Sequence, residues 1–418
     1  MSPLGISATF PMVRFASAAR RVAPIEGPSR FTLALESIGS GTGQLVEDPW
    51  VEPSTPGNLY EPDDILYGKL RPYLAKVWVA DRAGNYVGDF IRITARSSFD
   101  SQFLKYVILT PSFISEASAG SVGSKMPRTE WDTLKQIQIP APRLEQQQQI
   151  ADYLDHETAE IDAFIGNQKQ LRALISLRSQ TLLETTIKHS SSDTLQLRRL
   201  KPTRQSGTSV NAGSRRASDG ELGVLKTGAA SKGYFDATEN KAVTEDGEIA
   251  RLTTPVVKDR VLVNRANTPD LVGTAVYVPD DYPELYLSDK LWIVDFDASN
   301  EFLALALSTR CYREQVSQFV VGASSSMQNL SYGDFLSIRV PVPSRESQNQ
   351  VVAALRSSIR ATRVLGTEIS KAIDLARERR AALITAAVTG QIDVTAKNKP
   401  AAEQLEDDIA QGLHREHA

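Results

Sequence analysis

Two parts of the chain repeat each other at a separation of 201 residues, and this repeat constrains the fold more than any other feature. Pro140 and Pro142 correspond to Pro341 and Pro343, an offset of 201 (341 − 140). The same offset continues without a gap through a series of matched pairs: Glu145 and Glu346, Gln147 and Gln348, Gln149 and Gln350, Leu154 and Leu355, Leu174 and Leu375, Arg178 and Arg379, Leu182 and Leu383. The pattern predicts two diverged copies of one structural unit.

Upstream of this stretch the offset drifts slightly. Met126 and Met327 keep 201, whereas Asp89 and Asp289 differ by 200 and Phe103 and Phe302 by 199 (302 − 103). Small shifts of this kind are typical of loop insertions. The copies therefore share a framework, while their surfaces differ.

The first part of each copy has the pattern of a mixed α/β domain. In copy one, short β-branched or aromatic runs predict strands at residues 65–67, 77–79, 90–93 and 136–139, with a helix at 103–109. In copy two, the same order predicts strands at 261–263, 274–278, 291–294 and 337–340, with a helix near 302–319.

The second part of each copy predicts a long helix. Residues 144–188 contain no proline and one glycine, Gly166, and their apolar residues have coiled-coil-like spacing. The second helix ends at Gly390, a standard terminator. A helix of about 45 residues is about 67 Å long at 1.5 Å per residue, so each should pair with another long helix.

The charges of the two helices favour pairing within one chain. Residues 143–188 hold five Lys or Arg and seven Asp or Glu (5 − 7 = −2), and residues 345–389 hold eight and four (8 − 4 = +4). Antiparallel pairing would place the α/β domains at opposite ends and give a pseudo-two-fold molecule, which suits a DNA duplex. Alternatively, each charge balance is only a solvated face.

The predicted organisation is therefore an α+β chain with five segments. They are a first α/β domain at 1–142, a helix at 143–190, a second α/β domain at 191–343, a helix at 344–392 and a disordered polar tail at 393–418. Residues 191–216 are rich in arginine, including Arg198, Arg199, Arg204 and Arg215. They predict a linker that leads into a strand, and their cations indicate either a phosphate-contacting arm or a flexible loop.

Composition argues against several classes of protein. The chain has no apolar run of about 18 residues, and its single cysteine, Cys311, fits a reducing cytoplasm. The net charge of −3 is atypical of a protein that coats DNA non-specifically. No phosphate-loop motif, G-x-S-x-G elbow or Asn/Asp-Pro-Pro-Tyr methyltransferase motif is present, so no catalytic or metal site is expected.

Three segments resemble type I restriction-modification DNA-specificity subunits: residues 64–76 (DILYGKLRPYLAK), residues 139–154 (IPAPRLEQQQQIADYL) and residues 380–391 (RAALITAAVTGQ). The resemblance implies two target-recognition domains, each reading half of a bipartite double-stranded DNA target. It implies that the helices set the gap between the halves and dock modification (methyltransferase) subunits, two of them. S-adenosylmethionine, ATP and Mg would belong to those subunits and to a separate restriction (motor-nuclease) subunit. No membrane association is implied.

Candidate DNA contacts are polar or cationic side chains at matched places in the two copies. Arg can pair bidentately with guanine and Asn with adenine. The candidates after the first predicted strand are Lys69, Arg71 and Lys76, with Asn264, Arg265 and Asn267 in copy two; those in the loop before the last strand are Ser124, Lys125 and Arg128, with Ser325, Ser326 and Gln328. Each has a phosphate contact or plain solvation as its alternative, and Lys69 has a structural pairing with Asp64 as another.

Two other functions compete with DNA reading. The first is a scaffold that binds only proteins through its coiled coil. The second is an enzyme, such as a methyltransferase fused to its own recognition domain. The missing catalytic motifs count against the enzyme, whereas the scaffold stays open, because base-reading surfaces have no fixed signature.

Overall fold

The computed structural model describes residues 10–29, 31–46, 56–123, 125–324, 327–392 and 394. It divides into two compact units, Met1–Lys169 with Ser370–Ala418, and Gln170–Ile369. Both boundaries fall inside the long helices, Leu144–Ser190 and Arg345–Val388. Each unit therefore contains one α/β domain and one segment of each helix.

The first unit is built around a four-stranded antiparallel sheet. Its strands, in spatial order, are Ala19–Arg21, Phe90–Ala95, Ile65–Gly68 and Val77–Val79. Ile65–Gly68 is buried on both faces, which explains why its sequence is continuously apolar. The strands predicted at 65–67, 77–79 and 90–93 are confirmed.

Smaller elements of the first unit surround this sheet. A second sheet has the order Glu26–Gly27, Gly57–Tyr60, Gly84–Tyr86, Thr32–Leu33. Met12–Arg14 pairs with Gln138–Pro140, which leads into the first long helix. The short helices are Phe15–Ala18, Ser101–Ile108, Pro111–Ala119 and Trp131–Leu134, with 3-10 turns at Leu35–Ser37 and Pro72–Leu74.

The second unit repeats the arrangement of the first. Its main sheet has the matching order Thr203–Ser206, Leu291–Asp295, Arg260–Asn264, Ala275–Val278. Its second sheet has the order Asn240–Ala242, Gly223–Leu225, Tyr282–Tyr286, Pro255–Val256, with one parallel pair as in the first unit. The internal repeat predicted from the offset is thereby confirmed.

The remaining elements of the second unit complete the match. Thr194–Gln196 pairs with Arg339–Pro341, as the ribbon before the long helix does in the first unit. A three-stranded ribbon has the order Ala266–Asn267, Met327–Asn329, Val321–Ser324. The short helices are Asp246–Ile249, Asn300–Ala306, Arg310–Phe319 and Tyr332–Ser337, with 3-10 turns at Leu197–Leu200 and Thr227–Ala230.

One expectation about local structure is wrong, and another is confirmed in part. The single helix expected near 302–319 is two helices, Asn300–Ala306 and Arg310–Phe319. The break occurs at Thr309, whose hydroxyl caps the second helix by accepting a hydrogen bond from the Tyr312 amide. The arginine-rich segment 191–216 contains Thr203–Ser206, an edge strand of the main sheet, so the strand predicted to begin there is confirmed and the phosphate-contacting arm stays a prediction.

The strongest part of the sequence repeat has a structural explanation in two buried glutamines. Gln147 accepts a hydrogen bond from the Asp100 amide at 2.8 Å and donates to the Pro142 carbonyl at 2.9 Å. Gln348 makes the same two bonds, with the Ser299 amide at 2.8 Å and the Pro343 carbonyl at 2.9 Å. Each glutamine therefore fastens its long helix to the helix-capping loop of its own domain.

Replacing either glutamine should destabilise only its own unit. Gln147→Ala leaves the Asp100 amide without its acceptor, and Gln348→Ala does the same to the Ser299 amide, at a cost of about 1–3 kcal/mol each. Urea unfolding followed by hydrogen exchange, resolved by unit, measures this. The controls are Gln149→Ala and Gln350→Ala, two exposed positions on the same helices. A comparable loss in the controls would contradict the anchoring role.

Within each unit, the two helix segments pack together. In the first unit, Leu154 shares the core with Ile384 and Val388, and Asp162 pairs with Arg380 at 3.1 Å, so the segments run antiparallel. In the second unit, Leu183 and Ile187 share a core with Val352 and Leu355. The predicted fold class, two α/β domains joined by long paired helices, is confirmed.

The second helix ends as its sequence predicts. Its last residue is Val388, and Gly390 follows with a φ of +76°, a conformation that favours glycine. Ile392 and Val394 pack against the core of the first unit. The rest of the expected tail, Asp393 and residues 395–418, lies outside the described residues.

Candidate nucleic-acid interface

In the first unit, the fold brings together two candidate segments that are far apart in sequence. The chain leaves Ile65–Gly68 and turns sharply at Arg71, which has a φ of +52°. The Arg71 amide donates to the Pro127 carbonyl at 2.7 Å, and Leu70 forms a bridge with Arg128. The cationic segment after the central strand therefore lies beside the loop that precedes the last strand.

The side chains of this first surface differ in how free they are. Arg71 is exposed, and so is Lys125. Lys69 lies 3.6 Å from Glu130, and Arg128 lies 2.9 Å from Asp89. These exposed pairs contribute little stability, so either cation can exchange its carboxylate for another anion.

The remaining first-unit candidates are Lys76 and Ser124. Lys76 donates to the Leu35 carbonyl at 2.5 Å, a bond that holds a turn of its own domain. Ser124 lies outside the described residues. The suggested pairing of Lys69 with Asp64 is wrong, because Asp64 is buried against Arg92 at 2.6 Å.

The second unit assembles the equivalent surface with the same backbone pairing. The Lys69 amide donates to the Asp89 carbonyl, and the Arg265 amide donates to the Lys290 carbonyl. In the three-stranded ribbon of the second unit, Asn267 lies opposite Gln328. This pairing corresponds to the hydrogen bond between the Arg71 amide and the Pro127 carbonyl in the first unit. The structure thus aligns residues 263–267 with 67–71.

The second-unit candidates divide in a similar way. Arg265, Asn267 and Gln328 are partly exposed. Asn264 is fully buried and donates to the Thr227 carbonyl and the Thr274 hydroxyl, so its side chain supports the fold from inside rather than facing a ligand. Ser325 and Ser326 lie outside the described residues.

Arg204, which the sequence analysis named only as one of several arginines in residues 191–216, lies beside this second surface. Arg204, on the edge strand, places its guanidinium carbon 4.4 Å from the ring centre of Tyr332 and 5.5 Å from that of Trp292. Burial raises the pKa of Tyr332, and the positive charge of Arg204 opposes that rise. The stacking partners are distant in sequence, so only the arginine-rich composition of 191–216 signalled this position.

The described residues contain neither a metal-binding cluster nor a membrane-spanning helix. Within the described ranges, no three His, Cys, Asp or Glu side chains come together as a metal site requires. No helix in the same ranges combines the length and apolarity needed to cross a bilayer.

Comparison with known proteins confirms the resemblance predicted from the sequence. Residues 64–172 match the family model described as "Type I restriction modification DNA specificity domain". This match covers the central strands of the first domain and the start of the first long helix.

One curated relative and one solved structure extend the comparison. The chain is 28% identical over 172 residues to the type I restriction enzyme EcoDI specificity subunit of Escherichia coli, which covers 40% of this chain and 38% of that protein. A chain from a structural study of the assembly and conformational transition of the type I R-M system matches with a TM-score of 0.64 at 16% identity. It covers 93% of this chain and 100% of its own length. The second match shows the same fold.

Proposed function

We propose that this chain, whose residues 64–172 match a type I DNA-specificity domain, is the specificity subunit of a type I restriction-modification complex. Each unit would read one half of a bipartite double-stranded DNA target. The observation that carries the proposal is the duplicated surface in which Lys69, Arg71 and Arg128, and Arg265, Asn267 and Gln328, are gathered by the same backbone pairing.

The proposal assigns no catalytic step to this chain. S-adenosylmethionine would be used by two modification subunits, and ATP with Mg by a restriction subunit. The single cysteine supports a reducing compartment such as the cytoplasm.

The long helices offer surface for such partners. In the first unit, Phe164 and Leu375 are exposed at a groove of about 380 Å³ that is also lined by Ile161. In the second unit, Leu171, Leu174 and Leu177 are exposed. Exposed apolar side chains in such numbers favour protein docking.

A gel-shift titration tests the function directly. The full chain is titrated with DNA, alone and co-expressed with a type I modification subunit, and the host genome is mapped for methylation. Sequence-selective binding in either form supports the proposal. Its absence in both forms would leave the alternative of a protein scaffold on a coiled coil, which the exposed apolar side chains of the helices would also serve.

Replacing Arg71 should weaken reading of one half-site only. Arg71→Ala removes an exposed guanidinium while leaving a Cβ at the same left-handed φ, so the backbone strain is unchanged. A loss of about 1–3 kcal/mol in discrimination is expected at the half-site read by the first unit. The measurement is binding to DNAs altered in one half-site at a time, with Arg82→Ala as the control. Equal losses on every sequence would reduce Arg71 to a phosphate contact.

A further inference from the structure

Two arginines of the second unit share one aromatic side chain. The guanidinium carbon of Arg204 lies 5.5 Å from the Trp292 ring centre, and that of Arg265 lies 5.9 Å from it. Trp292 is itself buried and packs edge-on against Tyr332. The stacking holds two like charges in fixed positions near each other at the end of the main sheet.

Neither guanidinium is neutralised by an acid among the described residues. The ion pairs of this unit engage other cations, such as Lys226 with Glu239 and Arg356 with Glu301. Arg204 and Arg265 form no ion pair with any described carboxylate. Two positive charges beside one ring and without a carboxylate partner favour an anion as their counter-charge.

Three buried hydrogen-bond donors lie in the same segments. They are Arg265 Nε, Asn267 Nδ2 and Trp292 Nε1, and none has an acceptor among the described protein groups. Trp292 lies on the strand that pairs with Arg260–Asn264, opposite Val263, and Arg265 and Asn267 follow directly after Asn264 in the chain. Buried donors are normally satisfied, so this corner is suited to a ligand that brings acceptor oxygens.

The equivalent cations of the first unit have acids close to them. Lys69, the counterpart of Arg265, lies beside Glu130. Arg21 lies opposite Ile93 as Arg204 lies opposite Val294, and its charge adds to the hydrogen bond from Lys135 in lowering the pKa of Asp132. The unpaired cationic corner is therefore a feature of the second unit alone among the described residues.

We propose that Arg204 and Arg265 bind the phosphate backbone of DNA and make the second unit the electrostatic anchor of the protein. This inference rests on the proposed DNA-reading function. A guanidinium fork matches phosphate geometry, and stacking leaves its N–H groups free to donate. Arg204 sits on an exposed edge strand beside the base-reading candidates, where a phosphate contact would set the register of the duplex.

Salt dependence of DNA binding distinguishes this role. Arg204→Ala and Arg265→Ala are made singly and together in the full chain, in whichever form binds DNA, and affinity is measured between 50 and 200 mM salt. The slope of log K against log salt is negative, and each arginine removed should reduce its magnitude by about 1. Affinity should fall roughly tenfold per arginine, equally for the target, for targets altered in either half-site and for random DNA.

Two further variants make the test specific. Arg363→Ala removes another stacked arginine of the second unit, 4.1 Å from the Tyr234 ring centre but on the second long helix, and should leave the slope unchanged. Arg204→Lys keeps the charge and should retain most of the slope. Thermal unfolding confirms that each variant is folded.

The outcomes separate this inference from the proposed function. If the unaltered chain binds no DNA in any form, both proposals fall. If it binds with sequence selectivity and the slope does not change in the double variant, only the phosphate site is overturned. A loss confined to one half-site sequence would also overturn it, because that result indicates base reading by these arginines.

Discussion

Replacing Asp64 with alanine is expected to lower the free energy of unfolding of the first unit by about 3–5 kcal/mol. Asp64 accepts from Arg92 at 2.6 Å, from the Thr94 hydroxyl at 2.9 Å and from the Glu61 amide at 2.8 Å. Both partners of the ion pair are buried in the main sheet. The substitution leaves the Arg92 charge buried, with the Leu59 carbonyl as its one remaining acceptor among the described residues.

Denaturant unfolding with hydrogen exchange resolved by unit measures this effect. Asp81→Ala is the matched control, because Asp81 pairs with Arg82 at 2.7 Å on the surface and should cost about 0–1 kcal/mol. Replacing both Asp64 and Arg92 with apolar residues of similar size should recover most of the loss. A cost below about 1 kcal/mol for Asp64→Ala would show that Arg92 finds another partner.

Replacing Arg380 with alanine should be the second most damaging change, at about 2–4 kcal/mol. Its buried guanidinium pairs with Asp162 and donates to the carbonyls of Gly41 and Thr42 at 2.9 and 2.8 Å. The side chain therefore ties three parts of the first unit: both long helices and the glycine-rich turn of the domain. The cost is set below that of Asp64 because Asp162 remains partly exposed to water.

Amide hydrogen exchange in the turn that contains Gly41 and Gly43 measures the effect of Arg380→Ala. Exchange at Gly41 and Gly43 should accelerate in Arg380→Ala more than exchange in the main sheet, because the turn loses its attachment. The neighbouring Arg379 is exposed, so Arg379→Ala should change neither exchange nor stability measurably. Uniform acceleration throughout the first unit would indicate a general loss of stability instead.

The parts of the fold that sequence predicted are those encoded by local patterns. Ile65–Gly68 and Leu291–Asp295 are apolar runs buried in central strands, and the long helices lack proline and keep a periodic apolar stripe. The second sheets were not predicted. Their strands are two to five residues long and pair with partners far along the chain, as Gly57–Tyr60 does with Gly84–Tyr86.

The sequence located the segments of the candidate site more reliably than it identified the individual side chains that face outward. Matched offsets located both surface segments, but composition cannot show the direction of a side chain. Asn264 is polar, yet its strand position directs it into the core, and Lys76 is cationic, yet a carbonyl of its own domain engages it. Arg204 gains its distinctive position from Trp292 and Tyr332, contacts that no local pattern records.

The division of the chain into units has a consequence for synthesis on the ribosome. Gln170–Ile369 is one continuous stretch, whereas the first unit needs Ser370 and beyond, including Ile384 and Val388 of its core. At about 5–20 residues per second, the amino-terminal domain emerges tens of seconds before its last core residues are translated. The second unit, Gln170–Ile369, can complete its own core first. The amino-terminal domain is therefore the part most exposed to proteases or chaperones while translation continues.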